Sequence, residues 1–558
     1  MENEQQSSIR YRNFAFLYRK MTEHRPKTFS NLNRPAVVKA ASEKEWDLII
    51  IGGGITGAGI SLDAALRGLK VLLLEKSDFA SGTSSKSTKL IHGGLRYLKQ
   101  LELGLVRESG LERVVAHNNA CHLVHPRNML LPIVKQGSFS AFSAGIAIWV
   151  YDVLARVSGK QKRRKLSKED TLKLEPLLNK NLLKSSVVYS EYRTDDARLT
   201  MELIKAARRN QAAAFNYMEV KDFNLVNGQI VGVNCQDILS DEPLSFRSKV
   251  VVNAAGPWVD ILRKADNPDS QTNLVLSKGS HIVFNKSDLP INNSTYFDVF
   301  DGRMVFAIPR GKSVYVGTTD TIYTGNLDEV VCSADDAAYL LKAVKHMFDI
   351  PKLSTEDIQS SWAGLRPLVK QSGKGTKDIS RKDEIFYSDT GLISIAGGKL
   401  TGFRKMAERV VDVVMERLEL SKQTLTEEYT IHHNPYENYQ QYQEELKQLQ
   451  QKHPQADIAH LLSSYGKDAY IILQDASEKW GGDLIKSEVA YTIEHEAAAL
   501  PIDFIERRTG WLYFDMTSVK KHLDRIIDCF ATELGKDAAW VKEQKVYCLE
   551  VIRKHGLE

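Results

Sequence analysis

Cysteine is scarce in this chain. Its five cysteines, Cys121, Cys235, Cys332, Cys529 and Cys548, are scattered among 558 residues and form no CxxC pair. This spacing excludes a disulfide framework and a cysteine-based zinc site, and it favours a reducing compartment.

Long apolar runs are also missing. The nearest approach to the roughly 20 residues of a transmembrane helix runs from Phe139 to Val157, and Asp152 and Arg156 interrupt it. The N-terminus has mixed charges and lacks the apolar core of a signal peptide. The sequence therefore predicts no spanning segment, and any membrane contact should lie at the surface.

Neither sign of charge dominates, because 75 Lys and Arg face 70 Asp and Glu, for a net charge of +5. This balance argues against nucleic acid as a partner. A hydrophobic content of 43% is ordinary for a globular protein. The length allows about three to four domains of roughly 150 residues.

A βαβ unit is predicted where order is expected to begin, at Trp46. A buried parallel strand at 47–51, a helix at about 57–67 and a second strand at 70–75 enclose the sequence G-x-G-x-x-G. This context makes the motif a strong indication of dinucleotide binding.

The residues of this motif have separate tasks. Gly52 permits the tight turn, Gly54 lets a pyrophosphate approach the backbone, and Gly57 lets helix and strand pack closely. Glu75, which ends the second strand, can accept hydrogen bonds from both ribose hydroxyls and disfavours the 2′-phosphate of NADP. The motif does not separate FAD from NAD.

Later segments predict more strands and then a helical region. A buried strand is expected at 249–253 and an antiparallel sheet in 280–320. A strand at 392–396 precedes a helix at about 401–418, and helical patterns dominate after about 425. Residues 1–45 are polar and aperiodic, which predicts a flexible arm, and Met21 stays open as an alternative start.

Further motifs follow the fingerprint in a fixed order. They are GTSSKSTKLIHGGLRYL from Gly82, NAAGPWVD from Asn253, KGSHIV from Lys278, IPR from Ile308 with GTTD from Gly317, WAGLRPL from Trp362, SRKDEI from Ser380 and IAGGKLTGFRKMAE from Ile395. From Asp47 to Leu418 this set closely resembles the FAD-dependent, quinone-linked glycerol-3-phosphate dehydrogenase family. The likeness continues more thinly around Val489 to Gly510.

The resemblance implies an α/β fold, in which an α+β substrate-binding cap with a mixed or antiparallel sheet interrupts a Rossmann-like FAD domain. A helical C-terminal domain follows. The expected division is an arm at 1–45, an FAD domain at 46–125, 190–262 and 356–424, a cap at 126–189 and 263–355, and a C-terminal domain at 425–558.

The implied reaction oxidises sn-glycerol 3-phosphate to dihydroxyacetone phosphate, with hydride passing from carbon 2 to flavin N5 and electrons passing on to a quinone. Glycerophosphate oxidases share the motifs but carry an extra cap insertion that has no obvious counterpart here, so the oxidase is the alternative. A non-catalytic FAD-binding regulator or scaffold is the third interpretation. The presence of Arg366 and Arg381, the arginines expected to bind the substrate phosphate, argues against this third interpretation.

The resemblance also assigns site residues. Arg366 and Arg381 are expected to clamp the substrate phosphate, with Arg310 as a further contact, because guanidinium groups match phosphate oxygens bidentately. Arg96, Tyr97 and Lys399 are expected near flavin and substrate. The expected cofactor-binding residues are Gly52, Gly53, Gly54, Gly57, Glu75, Ser84, Ser85, Ser87, His92, Gly93, Ala255, Gly256, Gly397, Gly398, Lys399, Leu400 and Thr401.

The expected general base is His281, since an ordinary histidine pKa near 6.5 suits proton transfer near neutrality. His92 is the rival, although its place beside a glycine pair suggests a flavin-contacting loop. His432 and His433 are adjacent rather than at ligand spacing, which predicts a solvated pair and no metal site.

A quinone acceptor implies peripheral attachment in the cytoplasm, on the cytoplasmic face of an anionic membrane surface. Two regions are candidates. One is the set Arg10, Arg12, Phe14, Phe16, Tyr18 and Arg19. The favoured one is the stretch Phe139 to Arg156 with the basic residues Lys160, Lys162, Arg163, Arg164 and Lys165. A homodimer stays open.

The fingerprint yields a first prediction. The variant Gly54→Val should be purified without yellow colour, because its side chain blocks the approach of the pyrophosphate to the backbone. Flavin absorbance per protein measures the effect. Full retention of flavin would contradict the placement of the cofactor.

Overall fold

The computed structural model describes residues 29–93, 103–135, 137–138, 163–370, 379–380 and 382–556. Four expectations therefore lie outside the described residues. They are the aromatic and basic set from Arg10 to Arg19, Arg96 with Tyr97, Arg381, and the stretch Phe139 to Arg156 with Lys160 and Lys162. In the described ranges no helix is long and apolar enough to cross a membrane.

The strands in these ranges are β1 Glu45–Ile51, β2 Val71–Leu74, β3 Leu90–Ile91, β4 His125–Val134, β5 Arg164–Leu166, β6 Leu183–Arg193, β7 Ala213–Phe215, β8 Met218–Val226, β9 Gln229–Asp237, β10 Glu242–Asn253, β11 Leu274–Asn285, β12 Ser294–Asp298, β13 Met304–Arg310, β14 Ser313–Gly317, β15 Thr321–Ile322, β16 Ile358–Lys370, β17 Ile379–Ser380, β18 Glu384–Tyr387 and β19 Ile393–Ala396.

The α-helices are α1 Arg34–Ser42, α2 Ile55–Leu66, α3 Leu103–Asn119, α4 Lys168–Leu174, α5 Asp196–Arg209, α6 Val259–Asp266, α7 Ala334–Met347, α8 Phe403–Arg417, α9 Tyr439–Lys452, α10 Ile458–Tyr465, α11 Ala469–Lys479, α12 Leu484–His495, α13 Pro501–Asp503, α14 Trp511–Phe514, α15 Met516–Leu534 and α16 Ala538–His555. A π-helical segment, Phe504–Arg508, continues α13.

The first sheet has the order β18-β19-β10-β1-β2-β7, and it is parallel from β19 to β7. Its strands are buried apolar runs, as parallel strands covered on both faces should be. Helix α2 connects β1 to β2, which confirms the expected βαβ unit. The antiparallel strands β8 and β9 extend this sheet from β10.

The second sheet has the order β17-β16-β11-β14-β13-β12-β4-β6-β3. Strands β11, β14 and β13 are antiparallel, which confirms that expectation for 280–320. β12 and β4 run parallel, so the sheet is mixed. The sequence division assigned 358–370 to the FAD domain, but β16 pairs with β11 along nearly its whole length. The flanking nucleotide motifs gave no sign of this long-range pairing.

Residues 425–556 contain helices and no strand, as expected. Helices α12 to α16 pack on the second sheet, and they share one core cluster with Trp362 of β16. The expectation of a flexible arm is wrong for its last part. Helix α1 is ordered because Arg34 is buried and donates to Asp237 and Asn216.

Buried ion pairs connect the C-terminal helices to the loop that follows β2 of the first sheet. Asp78, in the loop after β2, is fully buried and accepts hydrogen bonds from Arg507 Nε at 2.6 Å and from Arg508 at 2.6 and 3.0 Å. Arg507 also donates to Asp503 at 2.8 Å. Desolvation raises the pKa of Asp78, but the charges of Arg508 and Arg507 outweigh it and hold that pKa below its ordinary value.

This network yields a second prediction. Asp78→Asn should lower the free energy of unfolding by about 3–5 kcal/mol, because it leaves buried arginine charge uncompensated. Urea unfolding followed by tryptophan fluorescence measures the loss. As the control, Asp524→Asn breaks an ion pair with Lys545 in which the two side chains are 69% and 49% exposed, and it should cost at most about 1 kcal/mol.

The pH dependence follows from the same pair. A carboxyl whose pKa is lowered by folding contributes stability above its ordinary pKa of about 4 and loses it as the pH falls further. Below about pH 4, the urea midpoint of the wild type should therefore decrease more steeply with falling pH than the midpoint of Asp78→Asn does. Parallel curves would contradict the role assigned to Asp78.

Candidate active site

A cavity of about 480 Å³ opens at the carboxyl ends of the first sheet and continues to the second sheet. The expected cofactor residues that line it are Gly52, Gly54, Glu75, Ser84, Ser87, His92, Ala255, Gly256, Gly397, Gly398, Lys399 and Leu400. Thus segments far apart in the sequence meet around one space, at the position where doubly wound sheets bind ligands.

The glycine turn has the backbone that the motif predicts. Gly52 has a φ of +111°, and a Cβ there would lie 2.6 Å from the carbonyl oxygen of Ala254. Gly57 packs against the backbone of Gly52. Gly54 is the N-cap of α2, so the first amides of that helix face the cavity, as a phosphate site requires.

Glu75 lies at the end of β2, beside this turn. Its carboxylate accepts hydrogen bonds from Gly53 N–H at 2.7 Å and Ser77 N–H at 2.9 Å. Burial raises its pKa, and the two amides oppose that rise. Each oxygen keeps a further lone pair, so the carboxylate can still accept from a ribose.

The serine-rich loop divides into lining and supporting residues. Ser84 Oγ accepts from Ile55 N–H at 2.9 Å at the start of α2, and Ser87 Oγ donates to Asp196 at 2.6 Å. Ser85, expected to bind cofactor, is fully buried behind the lining. It supports the loop instead: its hydroxyl faces Gly82, and its carbonyl accepts from Lys89 Nζ.

The Gly397-Gly398 pair follows β19 and also lines the cavity. Both have positive φ, +81° and +82°, and a Cβ on Gly397 would lie 2.5 Å from the carbonyl oxygen of Lys382. Leu400–Gly402 then forms a turn of 3₁₀ helix that leads into α8. Thr401 does not line the cavity, but its hydroxyl donates to the carbonyl of His92 at 3.0 Å.

These features fit FAD. Helix amides for phosphate, a carboxylate for ribose, and a second glycine-rich turn before a helix surround one cavity. Gly93 lies beside the lining, and its N–H donates to Glu191.

His281 of β11 reaches this cavity from the second sheet. Its ring stacks on Trp362 with centroids 4.6 Å apart, and Nε2 lies 3.0 Å from Thr88 Oγ1. Nδ1 is buried and has no hydrogen-bond partner among the described residues. Desolvation, followed by the charges of Arg366 and Lys89, holds its pKa well below 6.5, so the assumption of an ordinary pKa is wrong.

Arg366 of β16 lies beside His281 in the lining. Its guanidinium donates to Thr318 Oγ1 at 3.0 Å and Ser277 Oγ at 3.3 Å, and it is 3.5 Å from Asp320. Its side chain is 28% exposed, so solvent and ligand can reach it. An anion that enters the cavity can therefore meet a guanidinium that is already oriented.

Arg310 does not lie where a substrate contact was expected. It does not line the cavity, because it pairs with Asp195 at 2.6 Å and lies over the ring of Phe514. The short motif at the end of β13 does not reveal which way the side chain points.

Residues that received no individual role also belong to this region. Thr88 contacts His281, and Lys89 is buried between Asp196 at 2.6 Å and the ring of Trp362. Thr88 and Lys89 lie within the motif that begins at Gly82, but only the fold brings Asp196 to Lys89.

The expectation of a solvated histidine pair is wrong. His432 is 2% exposed, and desolvation lowers its pKa to about 4 and that of His433 to about 3. Asp468 lies beside both rings. Adjacent histidines gave no sign of a third group 35 residues further along the chain.

Comparison with known proteins agrees with this site. The family model described as FAD dependent oxidoreductase matches residues 47–405, and the C-terminal domain of alpha-glycerophosphate oxidase matches 432–541. The chain is 44% identical over 517 residues to the aerobic glycerol-3-phosphate dehydrogenase of Bacillus subtilis (strain 168), covering 90% of this chain and 93% of that protein.

Two solved structures are similar. The glycerol-3-phosphate dehydrogenase from Bacillus halodurans complexed with FAD has a TM-score of 0.81 and 38% identity, covering 94% of this chain and 98% of that one. The L-alpha-glycerophosphate oxidase from Mycoplasma pneumoniae has a TM-score of 0.53 and 20% identity, covering 71% of this chain and 98% of that one, which shows the fold alone.

The expectations of an FAD cofactor and of this α/β fold are thereby confirmed. On its cavity, its two family matches and its identity to such enzymes, the chain belongs to the FAD-dependent glycerol-3-phosphate dehydrogenase family.

Proposed function

We propose that this protein oxidises sn-glycerol 3-phosphate to dihydroxyacetone phosphate and delivers the electrons to a membrane quinone. The observation that carries the reaction is the meeting of His281 and Arg366 with the glycine turn around one cavity. A cation for phosphate and a proton acceptor thus lie beside a dinucleotide site. The family relatives named for this activity support the choice of substrate.

Arg366 binds the substrate phosphate in this proposal. Its hydrogen bonds to Ser277 and Thr318 fix the guanidinium plane before substrate arrives, which reduces the entropy lost on binding. Asp320 lies 3.5 Å from the guanidinium, and a phosphate dianion can form shorter, bidentate charge-assisted hydrogen bonds with it. Arg381, outside the described residues, stays a predicted second member of the clamp.

His281 accepts the hydroxyl proton in this proposal. Its lowered pKa keeps the imidazole neutral, which is the form of a base. Arg366 is one cause of that lowering. A phosphate dianion on Arg366 would therefore raise the pKa of His281 and strengthen the base when substrate is present. Nε2, which faces Thr88, and the buried Nδ1 are the atoms available for the proton.

The flavin, when bound, supplies the hydride acceptor. Lys399 and the amides after Gly397 and Gly398 contribute positive potential to the cavity that they line. Arg96 and Tyr97 stay predicted neighbours of flavin and substrate. The protein has to position carbon 2 of the substrate beside the flavin and the substrate hydroxyl beside the proton acceptor.

The acceptor proposal rests on the aerobic dehydrogenase relatives rather than on a described surface. Peripheral attachment to the cytoplasmic face of an anionic membrane would bring the protein to a lipid-soluble quinone. Of the favoured basic run, Arg164 and Lys165 lie exposed in the short strand β5. Oxygen is the alternative acceptor.

A third prediction tests the clamp. Arg366→Ala should weaken glycerol 3-phosphate binding by about 1.5–3 kcal/mol, the scale of a charge-assisted hydrogen bond, while flavin content stays unchanged. Steady-state kinetics give the Michaelis constant. The control Arg303→Ala removes a half-exposed arginine paired with Asp301 and should leave that constant unchanged. A rise of less than about threefold in Arg366→Ala excludes Arg366 from the clamp.

A fourth prediction tests the base. His281→Gln should slow flavin reduction by about 10²–10⁴-fold in anaerobic stopped-flow mixing, the range for loss of a general base. In the wild type, the acid limb of kcat/KM that belongs to His281 should lie below pH 6.5, because the free-enzyme pKa is lowered. His346→Gln serves as the matched control. Reduction of His281→Gln at wild-type speed would favour His92 or a water.

A fifth prediction tests the acceptor and the membrane together. Anionic liposomes that contain a quinone should reoxidise the reduced protein faster than oxygenated buffer does. The protein should co-sediment with them at low salt and be released at high salt. The test compares the full chain, a chain that starts at Met21, and a variant with the basic residues of 160–165 neutralised. Peroxide release without liposome binding would support the oxidase.

A further inference from the structure

The proposed reaction leaves unused a buried group of two histidines and one carboxylate. His432 and His433 lie in the segment that connects α8 to α9, and Asp468 immediately precedes α11. One ligand atom from each of these residues lies within 4.8 Å of the other two. His432 and Asp468 are 2% and 3% exposed, whereas the side chain of His433 is 15% exposed.

The distances suit a metal better than a direct contact. Asp468 Oδ1 lies 3.6 Å from His432 Nε2 and 3.5 Å from His433 Nε2. Both are at or beyond the limit for a hydrogen bond. A tetrahedral zinc ion with bonds of about 2.0–2.1 Å keeps its ligand atoms about 3.4 Å apart, close to these two distances. The two histidine rings are stacked with centroids 4.5 Å apart, so one ring must rotate before both nitrogens point at the same ion.

Hydrogen bonds to one oxygen of the Asp468 carboxylate fix its orientation. Asp468 Oδ2 accepts from Tyr491 at 2.6 Å and from Lys205 at 3.3 Å, which leaves Oδ1 towards the histidines. Such outer hydrogen bonds are typical of metal sites. Lys205 also pairs with Glu202 at 2.7 Å and Glu496 at 3.3 Å, so its charge is compensated beside an ion.

The ring of His432 can present Nε2 to a metal. The carbonyl oxygen of Asn434 lies 3.1 Å from Nδ1 and can accept its proton, although the N–H of Asn434 is equally near and supports the other tautomer. The carbonyl of Tyr465, 3.1 Å from Nε2, is a candidate fourth ligand. Gly466, with φ of +55°, brings this turn close, since a Cβ there would lie 3.0 Å from the His432 ring.

From this geometry we propose that His432, His433 and Asp468 bind one divalent transition-metal ion of the zinc class. The ion would join the segment after α8 to the turn before α11. Its role is structural, because the group is separate from the residues that line the flavin cavity. The partly exposed His433 gives a route from solvent.

The test uses the full-length, flavin-loaded protein without an affinity tag. After chelator treatment and its removal by gel filtration, Zn²⁺ is titrated by calorimetry. We expect one ion per wild-type chain. His433→Gln should weaken binding by more than about 100-fold, beyond the 10–100-fold cost of losing an outer hydrogen-bond partner. His453→Gln, at an exposed histidine, should bind as the wild type does.

A second readout is thermal unfolding. Zn²⁺ should raise the unfolding temperature of the wild type and His453→Gln, but not that of His433→Gln. His432→Gln repeats the test at the buried ligand, with flavin absorbance as the check that each variant is folded. Absence of Zn²⁺ binding by the wild type, or equal affinity in His433→Gln, would overturn the proposal.

Discussion

The site depends on the buried pairing of Asp78 with Arg507 and Arg508. Asp78 follows Glu75 by three residues, and two residues later Ala80 N–H donates to the carbonyl of Gly53. The same loop therefore touches the C-terminal arginines and the glycine turn. Removing either partner would leave a buried charge unpaired, so the two parts of the protein stabilise each other.

The charge network also extends beyond this pair. Glu496, just after α12, accepts two hydrogen bonds from Arg198 of α5, at 2.6 and 2.7 Å. Arg508 donates to the carbonyl of Glu496 at 2.9 Å. The helical region is thus joined to the nucleotide-binding sheet by oriented ionic contacts. The helical region packs against the second sheet, by contrast, through an apolar core that contains Trp362.

Trp362 belongs to that core and also contacts His281, the proposed general base. It stacks on His281 and packs against Tyr513, with ring centroids 5.2 Å apart. Lys89 lies 5.8 Å from its ring and carries one of the charges that lower the pKa of His281. His281, the proposed proton acceptor, is thereby desolvated, and its pKa is lowered by residues from distant parts of the chain.

The sequence by itself determined the elements whose signals are local. Strand β1, the turn at Gly52 to Gly57 and Glu75 follow from period, glycine placement and an acid at a strand end, and the ordered motifs indicated the family. Twelve of the expected cofactor residues line one cavity for that reason.

Only the tertiary structure decided the rest, because those features depend on partners far away in the chain. The pairing of β16 with β11, the direction of Arg310 towards Asp195, and the burial of Arg34 against Asp237 have no local signature. The pKa of His281 likewise depends on burial and on Arg366, and the adjacent histidines acquire Asp468 only when the chain folds. Spacing along a chain specifies which residues share a turn, but desolvation and charge contacts arise from packing.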